Sequence, residues 1–284
     1  MKMQRVLAIV HFGLALAFLV FAVVGEWSKV VVERVDFGKG VFDAQGGSGF
    51  GIVAVLVGIL LVALAVMRLM GKDKVLPGLG VEQLTVILGL VATLVPIAFI
   101  VGWLKVFDYK TGWAIPALYF TGSFIPQLGL LTLSLKEPVT GVTPIDESNR
   151  RIVSGVALLG AAGIALFPLL TWISSGSVKL SGYESGGPRL AMIMLWLGCF
   201  IAVAAFMRLR PQGLAEPGPN LLLSHALLAG GVVAFAIPVA LVISVLRFDG
   251  NLDIGVGVWL GILASLVLIG AALYENRLRG AQPI

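Results

Sequence analysis

Charge is scarce in this chain. Asp, Glu, Lys and Arg together make up 12% of its 284 residues, while 58% are hydrophobic. A water-soluble domain carries charge at about a quarter of its positions, so this surface is not built mainly to face water. Cysteine is scarcer still: the single Cys199 excludes an intramolecular disulfide, and the loops must fold without that staple. The net charge of +5 is small, and no basic run has the spacing that phosphate contacts demand, so nucleic acid is not an expected partner.

Catalytic sets are missing as well. Ser174, Ser175 and Ser181 lie in one predicted loop with Glu184, but no histidine accompanies them to activate a hydroxyl. Gly182-Tyr183-Glu184-Ser185-Gly186 lacks the strand–nucleophile–helix setting of a nucleophile elbow, and Phe37-Gly38-Lys39-Gly40 is far from a Walker pattern. The two histidines, His11 and His225, have no neighbouring acids or thiols to complete the roughly four ligands of a zinc site. On facing helices they would suit a bis-histidine haem, but a hydrogen bond to a carbonyl or a lipid headgroup is the plainer expectation for each. No catalytic residue, cofactor or metal is therefore expected, and an enzyme is not. No apolar stretch carries Asp, Glu, Lys or Arg near its centre, which argues against a proton-coupled transporter or pump.

What the chain does have is long apolar runs. About 20 apolar residues span the hydrocarbon layer, and eight stretches qualify: 6–25, 50–69, 84–103, 113–133, 152–173, 190–207, 221–246 and 254–274. The first follows a basic start, but its 20 residues exceed the roughly 7–15 of a signal-peptide core, so a retained helix is expected. The fold class is an all-α polytopic membrane protein of eight transmembrane helices. Twelve of the 20 Lys and Arg fall on the side of the two termini and eight on the other, which places both termini in the cytoplasm by the positive-inside rule. Trp27, Trp103, Trp113, Trp172 and Trp259 fall near the opposite ends of their spans, where indole rings favour the headgroup belt.

The two halves echo each other. Val66-Met67-Arg68-Leu69 is matched by Phe206-Met207-Arg208-Leu209, Trp27 by Trp172, and the run from Gly89 to Pro96 by the run from Gly231 to Pro238, all at offsets of 140 to 145. Four crossings return the chain to its starting side, so residues 1–140 and 141–284 are expected as two parallel four-helix repeats. Lys29-Val-Val-Val-Glu-Arg-Val-Asp-Phe and Ser177-Val-Lys-Leu-Ser favour extended structure. The first is expected to turn at Gly38-Lys39-Gly40, and both to form small β-rich extracytoplasmic loops. These hairpins, helix then Trp then extended loop then Gly then helix, resemble those of prokaryotic membrane proteins, which implies a prokaryotic cytoplasmic membrane.

Two groups of residues stand out within the spans. Pro96 and Pro238 each remove a backbone donor and are candidate kink or pathway residues. Gly257 and Gly261, with Ala157 and Ala161, have the small-residue spacing that lets helices approach closely and are candidate packing residues. Two functions fit: a non-enzymatic membrane subunit or scaffold, and a small-solute or lipid transporter built from two parallel repeats. Membrane lipids, a membrane-protein complex partner and self-association are the expected contacts.

Overall fold

Hydrocarbon offers no hydrogen bonds, so a segment crossing it must pair its own backbone groups, and a helix does so at each residue. All eight apolar stretches form helices in the computed structural model, which describes residues 2–32, 35–40, 42, 48–76, 79–104, 110–136, 145–183, 190–209, 220–248 and 251–279. They are α1 (Lys2–Val24), α2 (Ser48–Leu69), α3 (Val81–Ala98), α4 (Ala114–Ser134), α5 (Glu147–Leu166), α6 (Ala191–Arg208), α7 (Leu223–Arg247) and α8 (Val256–Leu278). Each gives a candidate span of 18 to 25 residues, or about 27–38 Å at the α-helical rise. Eight helices of this length and composition are those of an integral membrane protein.

Prolines are absorbed at or near helix ends and in mid-helix. Beyond Pro96, α3 widens into a π-helical turn over Phe99–Leu104, one of the adjustments that re-pairs backbone groups freed by proline. Pro168 opens a short 3-10 turn, Phe167–Leu169, where its missing donor costs little. Pro126 and Pro238 sit inside α4 and α7.

The first four helices close on themselves: α1 packs on α2, α2 on α3, α3 on α4 and α4 on α1. In the second set α5 packs on α6, α7 on α8 and α5 on α8, but α6 and α7 barely meet. The two sets join through α7, which lies against α2 and α3. Small residues permit these approaches. A Cβ at Gly49 would stand 2.0 Å from the Ala240 carbonyl oxygen of α7. At Gly89 it would stand 2.7 Å from the Pro126 ring, and at Gly198 2.7 Å from the Ala161 carbonyl. Ala157 and Ala161 are fully buried. Gly257 is a packing residue against Trp172 and the Phe167 carbonyl, whereas the space beside Gly261 is open; of that pair, only Gly257 brings backbones together. The expected boundary at 140/141 lies outside the described residues.

Two three-stranded sheets sit at the helix ends opposite the termini. The first has the order β2 (Val35–Lys39), β1 (Ser28–Val32), β5 (Lys110–Thr111), and the second β7 (Val178–Ser181), β6 (Thr171–Ser175), β8 (Asp253–Ile254), all antiparallel. The hairpin register pairs Val32 with Val35, so Gly38 and Lys39 lie within the return strand and not at its turn. The second hairpin turns at Gly176, which takes a φ of +56°. A third, two-stranded piece, β3 (Lys74–Leu76) with β4 (Leu79–Gly80), closes the α2–α3 connection at the other end.

Beneath each large sheet lies a tryptophan. Trp27 and Trp172 are fully buried, which overturns their assignment to a headgroup belt. Their backbones stitch the strands: Gly112 N–H donates to the Trp27 carbonyl and Gly255 N–H to the Trp172 carbonyl. Trp27 Nε1 donates to the Ala22 carbonyl at 3.0 Å, and its ring meets Phe99 edge-on. These indoles plug the bundle ends, because a sheet laid across helix termini leaves a gap that only a large ring fills. Trp113 and Trp259 are about half exposed and remain compatible with the belt.

The packing contrast is testable. Gly49→Ala forces a methyl into backbone and is expected to cost about 1–3 kcal/mol, while Gly261→Ala, in open space, should leave stability unchanged. Thermal unfolding in detergent compares them.

Candidate functional site

The termini-side ends of the helices carry the buried charge. In the first set, Arg68 at the end of α2, Glu82 at the start of α3, Thr132 near the end of α4 and Lys136 just beyond it converge. Arg68 is 8% exposed, Glu82 and Thr132 1% each. Arg68 Nη2 donates to Thr132 Oγ1 at 2.6 Å, and its Nε lies 3.8 Å from Glu82 Oε1. Lys136 Nζ stands 3.2 Å from Glu82 Oε2 and 3.6 Å from Asp73 Oδ1. Arg68 Nη1 is shielded from water and has no hydrogen-bond partner among the described residues. A cavity of about 310 Å³ opens here, with Arg5, Arg68, Asp73, Glu82, Thr132 and Lys136 in its wall.

The second set holds a related group at the same end. Arg208, 4% exposed, clasps the fully buried Glu275 with both terminal nitrogens, at 2.6 and 2.5 Å, and Arg279 Nε adds a third bond at 2.9 Å. Beside it Ser224 Oγ donates to Asn276 Oδ1 at 2.5 Å. Along the chain Arg208 follows Arg68 by 140, Ser224 follows Glu82 by 142 and Glu275 follows Thr132 by 143. The second cluster is closed by its own carboxylate, while in the first Arg68 meets a hydroxyl beside an open cavity.

The cap residues run in parallel. Gln83 Oε1 accepts from Gly80 N–H at 3.0 Å, and His225 Nδ1 accepts from Leu222 N–H at 3.1 Å, each satisfying a donor at the start of α3 or α7. His225 thus accepts a backbone N–H through Nδ1. His11 is fully buried in α1, and neither ring nitrogen has a hydrogen-bond partner among the described residues; the same holds for the hydroxyl of Ser154, 143 positions later.

Two apolar hollows complete the picture. Pro96 lines one of about 420 Å³ with Ile100, Ile115, Pro116 and Tyr119. Pro238 is buried in α7. A larger groove of about 470 Å³ runs between α3 and α4 on one side and α6 and α7 on the other, walled by Val86, Leu90, Leu94, Leu197, Phe200 and Gly230 among others. Among the described residues no group of three or more His, Cys, Asp or Glu is placed to hold a metal.

Sequence reasoning missed both charge clusters. It used the charges on the termini side only as a count that sets orientation, whereas Arg68, Glu82, Arg208 and Glu275 belong to helices and are buried. One signal was present: charged residues set at matching offsets directly against apolar runs. Comparison with family models, with curated proteins and with solved structures finds no match to this chain.

The clusters differ in cost from surface pairs. Glu275→Gln strands two buried cations and is expected to destabilise by roughly 3–5 kcal/mol. Glu147→Gln, which breaks the exposed pair with Arg151, should cost less than about 1 kcal/mol. Denaturant titration in mixed micelles gives both values.

Proposed function

We propose that the protein is a non-enzymatic membrane scaffold, made of two parallel four-helix repeats that share one fold and meet through α7. The observation that carries the scaffold reading is its filled centre. Gly49 of α2 lies directly against the backbone of Ala240 and Ser244 on α7, leaving helices in contact where a central path between the halves would run. The repeat is supported by the matched sheets, the matched tryptophans and the matched cap and charge positions at offsets of 140 to 145. The charge bias supports termini in the cytoplasm and the two large sheets outside. On this reading the partners are lipids and a membrane protein, another copy of this chain included.

One observation favours a second reading. The groove between α3–α4 and α6–α7 is almost wholly apolar and has the size of a lipid-binding hollow, as a lipid-handling protein would need.

Purification from native membrane in mild detergent separates the two. A stoichiometric protein partner, or a stable oligomer, is the expected result. A monomer carrying tightly held lipid or solute overturns the scaffold in favour of the carrier. Sidedness has its own check. In a Cys199→Ala background, Ser177→Cys should react with an impermeant thiol reagent on intact cells, and Lys72→Cys only after the membrane is opened.

A further inference from the structure

The cavity at Arg68 has the wall of an anion site, and the second set of helices shows what fills such a place. There, a guanidinium at the end of the second helix of its set meets a carboxylate from the fourth, Arg208 with Glu275, through two parallel bonds at 2.6 and 2.5 Å. This is the geometry by which guanidinium recognises carboxylate or phosphate. In the first set the same pair of positions is Arg68 and Thr132. The hydroxyl accepts one bond, from Nη2, and the buried Nη1 of Arg68 has no hydrogen-bond partner among the described residues. Such a group is costly to leave unmade.

Around it, the cavity wall contains three cations, Arg5, Arg68 and Lys136, against two acids, Asp73 and Glu82. Glu82 lies 3.2 Å from Lys136 and 3.8 Å from Arg68, so its negative charge is countered within the wall. The volume of about 310 Å³ admits a tetrahedral oxyanion with its water.

We propose that this cavity binds a phosphate-type oxyanion, held by Arg68 with help from Arg5 and Lys136, in the role that Glu275 plays internally in the second set. The anion lies at the end of the helix bundle, where its source is either the headgroup of an anionic phospholipid or phosphate free in the water. The inference rests on the repeat reading, which pairs Arg68 and Thr132 with Arg208 and Glu275, and not on the scaffold role.

The decisive variant is Thr132→Glu, which places in the first set the carboxylate that the second already has. It should fold at least as stably as the parent, because it supplies the missing partner, and should weaken anion binding about tenfold or more, the loss expected for charge-assisted hydrogen bonds. Arg5→Gln, at an exposed position, should weaken binding less and serves as the readout if Thr132→Glu fails to fold. Two probes distinguish the sources. Inorganic phosphate is titrated against thermal unfolding in neutral detergent. Nanodiscs of phosphatidylglycerol and of phosphatidylcholine are compared by lipid retention in native mass spectrometry. Stabilisation by phosphate that is lost or weakened in the variants supports a free anion. Selective retention of phosphatidylglycerol by the parent, lost or weakened in the variants, supports a headgroup. The proposal is overturned if the parent responds to neither probe, if folded Thr132→Glu binds as the parent does, or if Thr132→Glu cannot fold and Arg5→Gln binds as the parent does.

Discussion

Close approach of helix backbones is the constraint on which this structure depends. Inside hydrocarbon, burying an apolar side chain against another gains little over leaving it against lipid, so helices associate through dense contact and through polar pairs. Gly49 against Ala240, Gly89 against Pro126, Gly122 against Ala92 and Gly198 against Ala161 are points where a single methyl would strike a neighbouring helix. With those contacts made, the helix ends fall into place, and the sheets can be drawn across them by Trp27 and Trp172. The indoles are buried because the strands that cover them start from their own backbones.

The same constraint explains where the charge lies. A guanidinium or carboxylate at mid-depth would be expensive, but at the last turn of a span it can bridge helices that small residues have already brought together. Arg208, Glu275 and Arg279 form a compact group there, with two cations on one carboxylate. Arg68, Glu82, Lys136 and Asp73 form a looser one, with longer separations and a cavity among them. Buried pairs of this kind contribute little net stability when intact and cost much when broken. Their value lies in fixing which helix ends meet.

Helix count was legible in the sequence because the signal is additive: twenty apolar residues in a row have few alternatives. The extended character of Lys29–Val32 and Val178–Ser181 was legible for a similar reason, since β-branched residues cluster there. The hairpin turn was not. Glycines at 38 and 40 suggested one place, but a turn is selected by strand register, and the pairing of β1 with β2 puts Gly38 opposite Lys29, inside the ladder. The tryptophans misled because a belt position and a plug position lie at the same depth and differ only in which side of the helix end the ring falls. The charge clusters were hidden by a similar ambiguity. Arg68 and Arg208 sit at the membrane boundary, where lipid headgroup and neighbouring helix are equally near along the chain; only the packing of α4 and α8 decides between them. Gly261 shows the converse, a spacing that matches a packing motif at a position where no neighbouring atom comes within 4 Å of an added methyl.

The two sets of helices pack unequally where they meet. If α2 and α3 of the first set answer to α6 and α7 of the second, an even-handed pairing would bring both couples together alike. Instead α7 is drawn onto α2 and α3 and away from α6, which it touches lightly, with Gly230 beside Ile201. Helix α7 cannot serve both neighbours, because a close face toward α2, set by Gly49 and Ser244, is spent once. The gap left beside α6 is the apolar groove, and its walls of Leu197, Phe200 and Leu94 have the chemistry of the lipid they face. The groove is thus a geometric consequence of joining two four-helix sets through one helix. Whatever occupies it, acyl chain or partner helix, is recognised by shape, since its lining offers almost nothing to bond.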